Sequence, residues 1–382
     1  MTILWLTWKD RQNPLAGGAE VVNEELATRL AADGHSVVFI VAGFPGAAAE
    51  EQRNGFRIIR VGSRFTSYVA AWRYYREHKV QLAADLVIDE CNTMPYFAGW
   101  YTGRPTVLFM HMLCRKIWFY QFPLPLAALG WLAEPVYLRL LRRAPVVAVS
   151  DSTRRDLMRH GFRADDIHVI TQGIEMKPLE NPETVAKYAQ PTALSLGAMR
   201  AMKQTLDQIR AFEIAKKHLP DLKLVIAGDS SGSYGQRVLR AIKRSPYAAD
   251  INYRGRVTPE EKIELMRRSH VFLVTSVKEG WGLIVTEAAS QATPAVVYNV
   301  DGLRDSVRHG QTGLVTAANT PEALSDSMVR LLRDPERYDR LRRQAWEWSR
   351  ANTFDRSYDD FLKVVSDAAT SAPNLESDLS PN

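Results

Sequence analysis

The chain has 382 residues, 46% apolar and 24% charged, enough for two or three domains and a large core. Its two cysteines, Cys91 and Cys114, support neither a disulfide framework nor a zinc site. The net charge of +6 is a mild basic excess that suits phosphate ligands or acidic lipid, and no nucleic-acid-binding motif accompanies it. No basic segment precedes an apolar stretch at the start, so no signal peptide is expected. The longest apolar run, Phe122 to Leu132, falls short of the roughly 20 residues that cross a bilayer. A cytoplasmic location is expected, with room for contact at the inner face of the membrane.

Ile3 to Thr7 opens the chain as a short apolar strand, followed by a polar loop and Gly17-Gly18-Ala19-Glu20. Val21, Val22, Leu26 and Leu30 then fall at helical spacing, with Gly34 as the stop, and Val37 to Val41 is the next strand. Strand, glycine loop, helix and strand make one βαβ unit. Further strands are predicted at Arg57–Val61, Leu86–Ile88, Thr106–Met110, Val146–Val149 and Ile167–Ile170. The pattern restarts with strands at Ala193–Leu196, Leu222–Gly228, Ile251–Tyr253, Val271–Val274 and Ala295–Val297, separated by helical segments. Alternation of this kind implies an α/β protein of two doubly wound, Rossmann-like domains with an interdomain cleft. The boundaries expected are 1–174 and 191–346, joined by a Pro-, Glu- and Asn-rich linker at 175–190. A final helix within about 347–368 is expected to return to the first domain, and the polar stretch 371–382 to be disordered.

The stretch Ser276 to Glu287 joins the end of an apolar strand to the start of a helix through a loop with two glycines. In open α/β sheets this edge gathers helix N-termini and free backbone N–H groups, and ligands bind there. If it were all helical, Glu279 and Glu287 would lie roughly 12 Å apart along the axis. That is long for a hydrolytic pair, whose carboxyl groups sit about 5–9.5 Å apart, and suits a grip on two ends of one extended ligand.

Arg200 and Lys203 follow the strand ending at Gly197, two cations near a helix start where the dipole disfavours them. An anionic ligand or plain surface charge would account for them. Gly17-Gly18 could bring backbone N–H groups to an anion, and a tight turn capping the helix explains the pair as well. His111 and Asp229 both follow strands; a packed or capping role is open for His111. Ser150-Asp151-Ser152 reads as a helix N-cap.

Taken together, Gly17-Gly18-Ala19-Glu20, His111, Ala148 to Ser152, Gly173-Ile174-Glu175, Leu196-Gly197 with Lys203, and Glu279 with seven residues before Glu287 resemble one family. Gly302 to Asp305 and Thr312-Gly313-Leu314 complete the set. The chain resembles the retaining nucleotide-sugar glycosyltransferases of family 4, with GT-B architecture, over about residues 1–365.

The resemblance implies a metal-independent enzyme with no cofactor, whose substrate is a nucleotide-diphosphate sugar carried mainly by the second domain. It places Glu287 at the ribose hydroxyls, and Glu279 with the amides of Gly280, Trp281, Gly282 and Leu283 at the sugar and phosphates. Arg200 and Lys203 would stabilise the leaving diphosphate, with Gly17 and Gly18 closing on it and His111 facing the transferred sugar. Preorganised cations and backbone dipoles can stabilise such a leaving group without a metal. No side chain fits a covalent nucleophile, which favours a front-face retaining mechanism. Two departures stand out: Ala198 where the family commonly has Arg, a role Arg200 would take over, and Ala292 before Thr293-Pro294.

Arg115 to Tyr120 and Tyr68 to Lys79 mix cations with aromatics, a composition that suits either an acceptor-cleft wall or an anionic lipid surface. A glycan, small glycoside or lipid-linked acceptor is consistent with this. Two other functions compete with hexosyl transfer: a nucleotide-sugar 2-epimerase, which would need acid/base carboxylates that are not evident, and a non-catalytic nucleotide-sugar-binding protein, to which only Ala198 points.

Overall fold

The computed structural model describes residues 1–370; the tail expected to be disordered, 371–382, lies outside them. The chain divides into two compact units. One comprises Met1–Arg115, Ala128–Gly173 and the chain from Phe354 onward; the other comprises Lys116–Ala127 and Ile174–Thr353.

The first unit contains strands β1 (Thr2–Leu6), β2 (Ser36–Ala42), β3 (Glu50–Arg53), β4 (Phe56–Val61), β5 (Leu86–Cys91), β6 (Thr106–Met110), β7 (Val146–Ala148) and β8 (Ile167–Val169). They form one sheet in the order β3-β4-β2-β1-β5-β6-β7-β8, parallel except for the β3–β4 hairpin. Its helices are α1 (Gly18–Ala32), α2 (Ser67–Leu82), all but the first turn of α4 (Leu124–Leu141, after the short α3 at Trp118–Gln121) and α5 (Asp151–Arg159). The apolar runs form parallel strands because both faces are covered, so neither face needs polar side chains. Residues of β1 alternate accordingly: Leu4 and Leu6 join Val38, Ile40 and Tyr75 in one core, while Trp5 packs on Phe39 and Phe109.

The second unit holds β9 (Thr192–Leu196), β10 (Lys223–Ala227), β11 (Ile251–Tyr253), β12 (Val271–Val274), β13 (Ala295–Val297) and β14 (Gly313–Val315). Its sheet runs β11-β10-β9-β12-β13-β14, parallel throughout. Helices α6 (Thr205–Lys216), α7 (Ser233–Arg244), α8 (Pro259–Arg268), α9 (Leu283–Ser290), α10 (Leu303–Ser306), α11 (Pro321–Leu332) and α12 (Pro335–Ser349) surround it. Strand order reverses about β9, where the chain moves first to β10 and β11 and then across to β12. Loops at the carboxyl ends of β9 and β12 therefore lie at a topological switch point, the ligand edge of such sheets.

Three expectations change. The stretch 175–190, read as a linker, is part of the second unit. Lys187 Nζ donates to the Arg267, Ser269 and Ala292 carbonyls and to Thr293 Oγ1 at 2.8–2.9 Å, Leu179 N–H reaches the Ser290 carbonyl, and Arg342 Nη1 reaches the Pro182 carbonyl. Most of its polar side chains face solvent, while Lys187 and the main chain take their partners from distant segments. The returning helix, α13, spans Phe354–Thr370, and residues up to Ser349 belong to α12. It packs in the first unit: Phe361 lies 5.5 Å from Trp5, Tyr358 Oη donates to Asp33 at 2.6 Å, and Ser357 Oγ accepts Gly173 N–H. Lastly, Lys116–Ala127 groups with the second unit, not with the flanking residues of the first.

Candidate functional site

At the carboxyl end of β12 the chain leaves the sheet through Thr275 and Ser276, both fully buried. Thr275 Oγ1 donates to the carbonyls of Lys203 and Gln204, and Val277 N–H to that of Met202. These bonds tie the turn at Ala201–Lys203, which follows β9, to the loop that follows β12. Gln204 ends that turn in the left-handed region at φ 49°. Lys203 is thereby directed at Glu279: its Nζ lies 2.5 Å from Oε1, which also accepts Ser276 Oγ at 2.5 Å. One carboxylate oxygen carries both donors and the other takes no protein donor among the described residues.

The loop is pinned from its far side as well. Glu279 N–H donates to the Asp301 carbonyl, and Gly302 follows at φ +79°. A Cβ at Gly302 would come within 2.4 Å of the Glu279 carbonyl oxygen, so glycine is required for this approach. Burial pushes the Asp301 carboxyl up, but Lys278 and Arg304 outweigh it and hold the group below the usual carboxylate range. Helix α9 begins after Gly282, and among the described residues the backbone N–H groups of Gly280 to Ile284 donate to no protein acceptor. That is the donor row a helix start offers to an anion. Trp281 turns the other way: its ring is buried, stacks 6.0 Å from Trp348, and gives its Nε1–H to Thr286. Only its main chain is on offer. Glu287, in the second turn of α9, is held by Lys262 from α8 at 2.6 Å through Oε2.

The loop after β10 is shaped by a second close approach. A Cβ at Gly228, φ +141°, would meet the Gly197 oxygen at 1.9 Å, so the loops after β9 and β10 can touch only through glycine. Asp229 beyond it pairs with Arg256 at 3.0 Å and accepts from Ser231; the Arg256 hydrogen bond leads in drawing its pKa down to about 2. Arg200, by contrast, is exposed and makes no ion pair among the described residues. Lys203 is thus built into the loop and Arg200 stands apart from it.

In the first unit, Gly17 is the N-cap of α1, and its N–H donates to Glu20 at 2.5 Å. Glu20 is buried, pairs with Lys9 at 3.0 Å and lies 3.4 Å from Asn92 Nδ2. The capping reading and the open glycine backbone therefore coexist, because the cap uses one N–H and leaves that of Gly18 outside the helix ladder. The preceding loop is fixed by Asp10, which holds Arg60 at 2.8 Å, while Arg53 bridges Glu24 and Glu51. His111 follows β6 and is nine-tenths buried. Its Nε2 lies 3.4 Å from Oε1 of Glu90, a carboxylate 1% exposed whose other oxygen accepts Trp5 Nε1 and Asn23 Nδ2. Ser150 caps α5 through Thr153 N–H, as read.

Sequence reasoning passed over Ser276, Lys262 and Glu90. Ser276 stands three residues before Glu279 on the loop already singled out and its role there was not read, whereas Lys262 carries no local signal, since it matters only through the Glu287 that the fold places beside it. Glu90 had one: with Asp89 it interrupts the apolar strand β5, where an unpartnered carboxylate would be costly. Asp89 itself accepts Tyr96 and Ala98 N–H groups, and burial pushes its pKa up to about 6. Among the described residues no group of three or more His, Cys, Asp or Glu is arranged to hold a metal ion.

The chain is similar to known proteins over both units. Residues 16–177 match the family model Glycosyltransferase Family 4, and residues 177–348 match Glycosyl transferases group 1. The chain is 22% identical over 393 aligned residues to N-acetyl-alpha-D-glucosaminyl L-malate synthase of Bacillus anthracis, covering 94% of each chain. Among solved structures, sucrose-phosphate synthase from Thermosynechococcus elongatus superimposes with a TM-score of 0.79 at 18% identity, over 97% of this chain and all of that one. Anabaena HepE in complex with UDP and glucose gives 0.72 at 16% identity, over 96% and 99%. Two parallel α/β sheets, a glutamate-bearing loop at the switch point of the second, and family models spanning both units lead to one conclusion: the chain belongs to the family 4 glycosyltransferases of GT-B architecture.

Proposed function

We propose that the protein is a retaining hexosyltransferase that moves a sugar from a nucleotide-diphosphate donor to a hydroxyl acceptor, without a metal and by front-face attack. The observation that carries this is the loop after β12, with its Lys203–Glu279–Ser276 cluster beside the undonated amides of Gly280 to Ile284. Glu287 stands one turn into the helix those amides begin. A ribose with two hydroxyls suits the Glu287 carboxylate, a diphosphate suits the amides and Lys203, and the sugar hydroxyls suit the unpaired oxygen of Glu279. Negative charge developing on the leaving diphosphate meets donors already in place, which lowers the barrier without reorganisation. HepE, a structural neighbour, binds UDP and glucose, which favours testing uridine donors first.

The roles of His111 and of Gly17-Gly18, facing the sugar and closing on the diphosphate, belong to the same proposal. Arg200 is the least supported member, since nothing orients it. The acceptor is a glycan, small glycoside or lipid-linked glycan. The test is a panel of UDP-, GDP- and ADP-sugars, with and without chelator, followed by NMR of the released sugar. Release with the donor's anomeric configuration, unchanged by chelator, is the expected result. Inverted sugar overturns retention, epimerised donor points to the 2-epimerase, and binding without turnover points to a non-catalytic protein. Glu287→Ala should weaken donor binding at least tenfold, and wild-type affinity in that variant would remove it from the ribose site. Lys203→Ala should lower kcat by about 10²-fold, the size of one lost charge-stabilising donor; unchanged kcat would remove it from the reaction.

A further inference from the structure

Helix α4 is long and apolar enough to cross a membrane, yet only 28% of it is buried. Its inner face is well fixed. Ala127, Tyr137, Leu138 and Leu141 are buried, and Glu134 turns inward to accept the N–H groups of Cys114 and Arg115 at 2.7 Å each. Pro135 cannot donate to the Trp131 carbonyl, and Arg115 Nη1 takes that oxygen instead at 3.3 Å. The outer face has no such partners. Leu129, Leu132, Val136 and Leu140 are 63%, 61%, 58% and 61% exposed. Steps of three, four and four put them on one stripe, about 16 Å long.

In the sequence segment that carries this stripe the charge is almost all of one sign. From residue 91 to residue 150 the cations are Arg104, Arg115, Lys116, Arg139, Arg142 and Arg143, and the single carboxylate is the inward-facing Glu134. Arg139, Arg142 and Arg143 are exposed beside the lower end of the stripe. The exposed leucine row thus ends in three exposed arginines. An anionic bilayer meets both features at once, since the leucines enter the acyl boundary while the guanidinium groups stay at the phosphates. A transmembrane course is ruled out by the packed inner face and its buried glutamate. We propose that α4 lies in the plane of an anionic membrane and docks the protein there through Leu129, Leu132, Val136 and Leu140, with Arg139, Arg142 and Arg143 at the headgroups. This is independent of the proposed catalytic roles.

The experiment is flotation of the full chain with vesicles of phosphatidylcholine alone or with added phosphatidylglycerol, at low and high salt. Binding is expected to the anionic vesicles only and to fall with salt. Replacing Arg139, Arg142 and Arg143 by Gln should weaken it about a hundredfold, and L129S/L132S/V136S should weaken it at least tenfold at every salt concentration. Unchanged circular dichroism and donor hydrolysis show that these surface variants remain folded. Wild-type protein that does not float, or leucine variants that float as well as wild type, overturn the proposal. So does light scattering that shows a dimer lost in the leucine variants without vesicle binding, which assigns the stripe to a second copy.

Discussion

Glu90 is the residue whose placement most constrains the chemistry of the first unit. A carboxylate 1% exposed is stable only where donors surround it. Trp5 and Asn23 supply two, both to Oε2, and His111 Nε2 stands at 3.4 Å from Oε1. Neither Oε1 nor Nε2 makes a hydrogen bond at this separation; a small rotation that closes the gap would put the proton on Nε2 and leave Nδ1 as the acceptor for the sugar hydroxyl that His111 is proposed to face. Glu90 would thus act as a positioning residue that sets the tautomer of His111. Glu90→Gln keeps the size but can turn an amide N–H toward Nε2, which would favour the opposite tautomer. Nitrogen-15 NMR should show His111 protonated at Nε2 in the wild type and shifted toward Nδ1 in the variant, with kcat lowered about tenfold or more. A wild-type Nδ1–H tautomer, or an unchanged one in Glu90→Gln, would refute this. A purely structural glutamate would change stability and leave the tautomer alone.

At the scale of elements, most strands readable as apolar runs are buried on both faces; of the twelve expected, eleven stand within a residue or two at each end of their ranges, and β5 continues three residues further through its carboxylates. The two passed over have physical reasons. β3 is Glu50-Glu51-Gln52-Arg53, an edge strand with no apolar signal, held by ion pairs to Arg57 and Arg60. β14 is Gly313-Leu314-Val315, a glycine followed by only two apolar residues, which leaves no apolar run to read. The loops after β9 and β12 were legible as a site because glycines and charges interrupt the pattern there; Lys262 was not, because only the fold makes it a neighbour of Glu287, and a serine three residues before Glu279 gives no sign by itself that its hydroxyl turns to that carboxylate.

One strand junction has a measurable titration. His270, just before β12, accepts Thr192 N–H at Nδ1 and donates its own N–H to the Thr192 carbonyl, fastening β12 to β9. Burial, with the Lys187 charge second, lowers its pKa to about 4, in keeping with a nitrogen that must stay unprotonated to accept. Between pH 6.5 and 4 the unfolded chain takes up a proton that the folded chain refuses, so stability falls as pH drops through that window. The ring is partly exposed, so the loss is on the order of 1 kcal/mol over the window after screening. His270→Asn should flatten this part of the stability profile, measured by urea unfolding at several pH values. A variant profile parallel to the wild type would remove His270 as the cause.

At the scale of the whole molecule, the two units have separate sheets and separate cores, so ligand energy can be localised. The residues proposed to hold the nucleotide are in the second: Lys203 after β9, Glu279 after β12, the α9 amides and Glu287, with Gly17-Gly18 and His111 of the first proposed only at the diphosphate and the sugar. A ligand that binds the native form of one unit protects that unit from opening by RT ln(1 + [L]/Kd), about 2.7 kcal/mol at a hundredfold excess over Kd. For amides that exchange by opening the second unit, this is about a hundredfold slowing. Hydrogen exchange with UDP should therefore slow β9, β12 and α9 strongly, while β1, β5 and α13 change little. Those last elements are a demanding control, because α13 follows the second unit in sequence yet packs on Trp5 and Phe109 of the first. Equal protection of both sets would show that the nucleotide is not held mainly by the second unit, and the assignment of Glu287 to the ribose would fall with it. Protection confined to β9, β12 and α9 would tie nucleotide recognition to the cluster in which the fold brings Lys203, from the turn after β9, onto Ser276 and Glu279 of the loop after β12.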